Sequence, residues 1–171
     1  MIDIVLVNAK KTGRLSERKR RMIAKCAPIC LAYNFGLTLA NFDIEYTPQE
    51  FSEKIARTTS IGKKGKDLIE LTKSGKVQII GLKFPPNIGK TIICTSKPEE
   101  KKEITAREIY KINLSNKIAL VFGCDQNQNR ALKRLKKNAK HHFDVSKKGV
   151  ELELDTQIGA ITEILSTIRK V

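Results

Sequence analysis

The chain contains no tryptophan, and its aromatic residues amount to three Tyr and six Phe. Rings this scarce, and not interleaved with cationic segments, argue against recognition of single-stranded bases by stacking. Long hydrophobic runs are missing too. None approaches the roughly 20 residues that a membrane span requires, and Met1 leads directly into a short strand-like run at residues 2–7 rather than into a targeting segment. The four cysteines, Cys26, Cys30, Cys94 and Cys124, lie inside apolar stretches with no disulfide-framework spacing, so reduced and mostly buried thiols are expected. Cys26 and Cys30 share a helix face, but neither a second pair nor a nearby His completes four ligands, and no metal is expected. A phosphate-binding glycine loop is also lacking. Gly89-Lys90-Thr91 has Phe84 where the motif needs its first glycine, and a strand follows where the motif needs a helix. These absences point to an intracellular, cytoplasmic protein without a membrane partner.

Acidic residues are the remaining shortage. The 171 residues hold 33 Lys plus Arg against 18 Asp plus Glu, a formal net charge of +15 and a pI near 9.8. A lysine-rich proteome or a thermophile surface explains many Lys and Glu together, but not so large a surplus of one sign. A positive field of this size favours a polyanion, and RNA is the expected partner.

The surplus is concentrated. Segment 10–25 carries eight basic residues against Glu17 alone, and segment 130–140 carries Arg130, Lys133, Arg134, Lys136, Lys137 and Lys140 with no acid for intrahelical pairing. Gly62-Lys63-Lys64-Gly65-Lys66 precedes a helical pattern, where free backbone N–H groups and ammonium groups together suit a phosphate backbone. A solvated basic turn is the other reading of that segment. The candidate RNA contacts are therefore Lys10, Lys11, Arg14, Arg18, Arg20, Arg21, Lys63, Lys64, Arg130, Lys133, Arg134 and Lys137. Recognition by shape and phosphate is expected. His141 and His142 end a helix before a strand, where a positive side chain can satisfy carbonyl groups.

Strand-like runs at residues 2–7, 37–42, 77–82, 91–95, 117–122 and 143–145 alternate with helical patterns, and several lack polar alternation, as strands buried on both faces do. The first helix is expected from Ser16 to a stop at Gly36. Thr47-Pro48-Gln49-Glu50 and Thr105-Ala106-Arg107-Glu108 are capping boxes that start two more helices. Segments 129–140 and 156–170 supply the last two. This order implies one domain over residues 1–171, of α/β class, with a mostly parallel sheet covered by helices on both faces. No internal repeat or low-complexity linker divides it.

The C-terminal third carries a more specific pattern. Ala119-Leu120-Val121-Phe122-Gly123-Cys124-Asp125 is a buried strand opening at Gly123 into a polar turn; a helix, a short strand, a turn through Gly149, the stretch Val150-Glu151-Leu152-Glu153-Leu154 and a closing helix follow. This succession resembles the second and third motifs of the SpoU–TrmD (SPOUT) superfamily of RNA methyltransferases, with Asp125 where a Glu is common and Glu151-Leu152-Glu153 where Ser-Leu-Asn is common. Asn8 and Phe35-Gly36 resemble the first motif, although Cys30 stands where that motif has an Arg and the insert before Gly36 is longer. A closer similarity is to archaeal SPOUT-like proteins. The resemblance implies a C-terminal trefoil knot, an exception to the rule of unthreaded chains, and a homodimer that binds S-adenosyl-L-methionine. It also implies methyl transfer to RNA, a tRNA or rRNA, with the ribose 2'-hydroxyl as one target.

On that resemblance the cofactor-binding candidates are Thr95, Ser96, Lys97, Phe122, Gly123, Asp125, Val145, Val150 and Leu152. Methyl transfer to a hydroxyl further needs positioning and a proton acceptor, for which the catalytic candidates are Arg14 near the hydroxyl and Glu151 or Glu153 near the sulfonium or as base, a surface charge being the other reading of each. Backbone groups at strand ends can hydrogen-bond an adenine, apolar neighbours can pack on its faces, and Gly123 admits close backbone approach. Two other classes compete. One is a non-catalytic RNA-binding or assembly protein that retains the fold. The other is a cofactor-binding regulator on a flavodoxin-like sheet, for which Lys10-Lys11-Thr12-Gly13-Arg14 is too basic and too poor in glycine.

Overall fold

A computed structural model of the chain describes residues 1–11, 15–58, 60, 62–124 and 130–170. Arg14 and Asp125 lie outside the described residues. In chain order the elements are β1 (Ile2–Val7), α1 (Glu17–Tyr33), β2 (Gly36–Ala40), α2 (Pro48–Thr58), α3 (Lys63–Lys73) and β3 (Val77–Ile80). Then come β4 (Lys90–Cys94), α4 (Ala106–Ser115), β5 (Ile118–Gly123), α5 (Arg130–Asn138), β6 (His141–Phe143) and α6 (Leu154–Lys170). The six strands form one sheet in the order β3-β2-β1-β5-β4-β6, and every pairing is parallel. This is the expected α/β class. Among the described residues no helix is long and apolar enough to cross a membrane.

The two faces of the sheet are covered unequally. Ile2, Ile4, Leu6, Leu37, Leu39, Leu120 and Phe122 point to the face that packs against α1, α2, α3, α4 and α6 in the main core. Val5, Val7, Ala40, Ile93, Ala119 and Val121 point to the other face, which α5 covers through Ala131, Leu132 and Leu135 together with Leu82, Phe84 and Ile88 of the connection before β4. Because both faces are apolar, β5 from Ile118 and β1 from Ile4 onward read as continuous hydrophobic runs.

Local chemistry sets the element ends. Ser16 caps α1 by accepting the Lys19 N–H (3.3 Å), and both capping boxes form, with Glu50 accepting the Thr47 N–H (2.9 Å) and Glu108 that of Thr105 (2.7 Å). Helix α1 stops earlier than expected. Asn34, at φ 60°, takes the left-handed C-terminal position, which frees Gly36 to open β2. A side chain at Gly36 would place its Cβ 2.1 Å from Asp3 Oδ1, and Asp3 is a buried carboxylate paired with Lys117 Nζ at 2.7 Å. Strand β6 ends two residues before its expected end. The Asp144 carboxylate accepts the Ser146 N–H (2.9 Å), the Ser146 hydroxyl (2.8 Å) and the Gly149 N–H (2.7 Å), which turns the chain at once.

Candidate functional site

The chain leaves β1 for α1 on one face of the sheet and leaves the adjacent β5 for α5 on the other. Connections that diverge from neighbouring parallel strands open a crevice at their carboxyl ends, the usual ligand position in open α/β sheets. A cleft of about 450 Å³ lies at this edge, between Cys124 just past β5, the first turns of α1 (Arg18, Arg21, Met22, Lys25) and the start of α6 (Glu153, Leu154, Asp155).

The cleft has cations on one wall and carboxylates on the other. Lys25 Nζ reaches Asp155 Oδ2 at 2.8 Å and joins α1 to α6, and this hydrogen bond holds the Asp155 carboxyl below its ordinary pKa. Glu17 accepts from Arg20 (2.7 Å) and Arg21 (2.9 Å), hydrogen bonds that lower its pKa as well. Behind the wall, Asn8 is fully buried and organises the start of α1: its amide donates to the Lys10 carbonyl (2.6 Å) and its Oδ1 accepts from Lys19 Nζ (2.6 Å). Its backbone carbonyl accepts from the Asn41 side chain (2.8 Å) and its N–H donates to the Ala40 carbonyl (2.9 Å).

The three segments expected to bind a cofactor leave adjacent strands at this same edge. Ile93 is in register with Val121, so Thr95 and Gly123 emerge side by side. The Thr95 N–H donates to the Phe143 carbonyl at 2.9 Å, tying the segment after β4 to the end of β6. Gly149 turns the chain at φ +68° beside the segment after β4, where an added Cβ would stand in ordinary contact, 3.6 Å from the Ser96 carbonyl oxygen. Of the apolar candidates, Phe122 is enclosed in the main core, Val145 is buried, Leu152 packs against the core edge and Val150 is open to solvent. Glu153 lines the cleft, while Glu151 is exposed and is not one of its lining residues.

The basic candidates separate into two groups. Arg18 and Arg21 line the cleft, whereas Arg130, Lys133, Arg134 and Lys137 project from α5 on the other side of the sheet and are exposed. Lys63 and Lys64, in the first turn of α3, are exposed as well, and so are Lys10 and Lys11 after β1.

Sequence reasoning passed over two residues that shape this edge. Asp144 folds the loop that lies against Ser96; an Asp with Ser two residues on and Gly five on is a turn signal that could have shown it. Asp155, which anchors α1 through Lys25, left no comparable local signal because its partner is 130 residues away. His142 corrects an expectation. It is fully buried, its Nδ1 accepts the Glu99 N–H (3.0 Å) and its Nε2 lies 3.0 Å from the Lys136 carbonyl oxygen. Burial lowers its pKa, so it satisfies the helix carbonyl as a neutral imidazole and not as a cation. Cys26 and Cys30 sit in the core and donate to the carbonyls of Met22 and Gly36; burial raises both thiols, Cys26 to about 12, so neither is a thiolate nucleophile.

Over 164 residues the chain is 30% identical to an uncharacterized protein of Methanocaldococcus jannaschii, covering 96% of this chain and 92% of that one. Among solved structures, a probable methyltransferase from Bordetella pertussis Tohama I is similar at TM-score 0.64 and 8% identity, covering 96% of this chain and 94% of that one. TrmJ from Z. mobilis ZM4 is similar at TM-score 0.62 and 15% identity, covering 97% and 68%. At these identities the likeness shows a shared fold. A family described as protein of unknown function (DUF531) matches residues 2–166, and the chain belongs to that family.

Proposed function

We propose that the protein is an S-adenosyl-L-methionine-dependent RNA methyltransferase whose reaction takes place in the cleft at the carboxyl ends of β1 and β5. One observation carries the reading: the cleft lies where the strand connections diverge, lined by Cys124 just past β5 and by Glu153, Leu154 and Asp155 at the end of the connection from β6. The fold shared with methyltransferases supports it, as does a net charge of +15, which suits an RNA substrate.

The residues present fit the cofactor. Gly149 permits the left-handed turn of the loop beside Ser96, and Val145 and Leu152 offer apolar contacts to an adenine next to backbone donors and acceptors. When bound, the cofactor supplies the methyl group. The protein's own part is positioning. Arg18 and Arg21 hold the RNA phosphates at the mouth of the cleft, and Glu153 stands on the opposite wall, where a carboxylate can accept the proton of a ribose hydroxyl. Arg14 belongs to the same proposal as the cation beside the reacting hydroxyl.

Isothermal titration calorimetry with S-adenosyl-L-methionine and its demethylated product tests this reading. Saturable heat is expected for the wild type, and its loss in Gly123→Leu, where the added side chain blocks the approach of the backbone to the ligand. No heat at millimolar ligand would remove the cofactor and leave the non-catalytic RNA-binding protein as the surviving alternative.

A further inference from the structure

A second cleft flanks the other side of the first turns of α1, and we propose that it is a pocket for one unpaired nucleotide of the RNA. This deepens the RNA reading above and rests on it. The cleft has a volume of about 520 Å³ and lies between α1, the segment after β2, and α2. That size is in the range of small-molecule pockets, and a single nucleotide fits within it. Its floor is apolar, built on Phe51 and Ile55, which are 3% and 2% exposed.

Three polar features stand over that floor. Tyr46 is 46% exposed and is the one exposed aromatic side chain among the described residues. Lys54 Nζ sits 4.2 Å from its ring centroid and 2.7 Å from its hydroxyl, so a π-face and a cation are presented together, the pairing that holds an unstacked base and its phosphate. Arg20 donates one Nη to Glu17 at 2.7 Å, while its Nε is shut off from water without a hydrogen-bond partner. Arg20 lines the cleft, so a swing of its side chain brings that unpaired donor to a phosphate or base oxygen. Asp43, exposed at the rim, accepts from an exocyclic amino group and so favours adenine or cytosine over uracil.

The position favours a nucleotide within a strand over a free one. Arg20 lies on α1 between Arg18 and Arg21, which line the cofactor-side cleft, so a chain of phosphates crossing the helix can feed a base into each side. Tyr46 and Lys54 also revise what the sequence implied, because the fold brings a ring and two cations together from segments that are not interleaved along the chain.

Fluorescence anisotropy with labelled oligoadenylate, oligouridylate and a duplex of equal length tests the pocket, using wild type, Tyr46→Ala and Asp43→Asn. Tyr46→Ala is expected to weaken oligoadenylate binding about tenfold, since one stacked base is lost, with duplex affinity and salt slope unchanged. Asp43→Asn is expected to narrow the preference for oligoadenylate over oligouridylate. If Tyr46→Ala binds oligoadenylate as tightly as wild type, the pocket is wrong while the RNA reading stands. If wild type binds no RNA at all, the RNA reading fails and takes the pocket with it. Adenosine monophosphate, titrated by NMR, is expected to perturb the Tyr46 resonances far more weakly than the oligomer; equal affinity would overturn the assignment to RNA in favour of a free nucleotide.

Discussion

Helix α1 is built into the fold from Ile23 to Cys30, whereas α5 is laid on its surface. In α1, Ile23, Ala24, Cys26, Ala27 and Cys30 are buried, and much of its charge is already committed: Lys19 to Asn8, Arg20 and Arg21 to Glu17, Lys25 to Asp155. In α5 only Ala131 is buried. Among the described residues no acid pairs with Arg130, Lys133, Arg134 or Lys137; the helix rests on the sheet through Ala131, Leu132 and Leu135 and is fastened at its end by His142 and Lys102 at the carbonyls of Lys136 and Lys137. Two segments that look alike as runs of charge thus differ in kind. The cations of α1 line clefts and are partly committed to internal pairs, whereas Arg130, Lys133, Arg134 and Lys137 of α5 face solvent.

Three measurements would break or sharpen this contrast. The largest effect is expected from Lys133→Ala, Arg134→Ala and Lys137→Ala combined, which should flatten the slope of log affinity for RNA against log salt by about three units if each side chain holds one phosphate. The melting temperature should stay put, because substitutions at exposed positions of this kind cost within about 0.5 kcal/mol. Arg18→Ala, Arg20→Ala and Arg21→Ala combined should flatten the slope by no more than about two units, since Glu17 already shares two of them, and should also reduce stability. Equal slopes for the two triple variants would mean that the distinction has no bearing on RNA.

Next in size is Asn8→Ala. It removes the side-chain amide that bonds the Lys10 carbonyl and the Lys19 ammonium at the start of α1, two part-buried hydrogen bonds whose loss costs about 1–3 kcal/mol, or a few degrees in melting temperature for a chain of this length. Thermal unfolding as stable as wild type would show that the buried node is dispensable.

The smallest effect concerns the fastening of α5. His142 has a folded pKa below its unfolded value of about 6.5, so its contribution is complete above that pH and is lost as pH falls through the folded value. The protection of the α5 amides, taken relative to the intrinsic exchange rate at each pH, should therefore fall between about pH 7 and 5 in the wild type, and lose that dependence in His142→Gln. Unchanged protection across this range in the wild type would separate the histidine from the docking of the helix.

The element order, the capping boxes at Thr47 and Thr105, the doubly buried strands and the α/β class were all legible along the chain, because each rests on contacts within a few residues or on a repeat of apolar positions. The loops around Thr95, Gly123 and Gly149 were legible as strand ends for the same reason. Other features left no trace that local pattern could carry. Asp155 meets Lys25 across 130 residues, and Tyr46 and Arg20 line one cleft from separate segments. His142 is neutral because the fold buries it, whatever its neighbours in sequence.

Composition and periodicity thus determined which segments become strands and helices and that the surface is strongly positive. Both follow from the identity and spacing of nearby residues. Tertiary structure alone decided which basic residues are spent on internal pairs, which remain exposed, and where two clefts open beside α1. Burial and charge pairing depend on distances that only the packed chain defines.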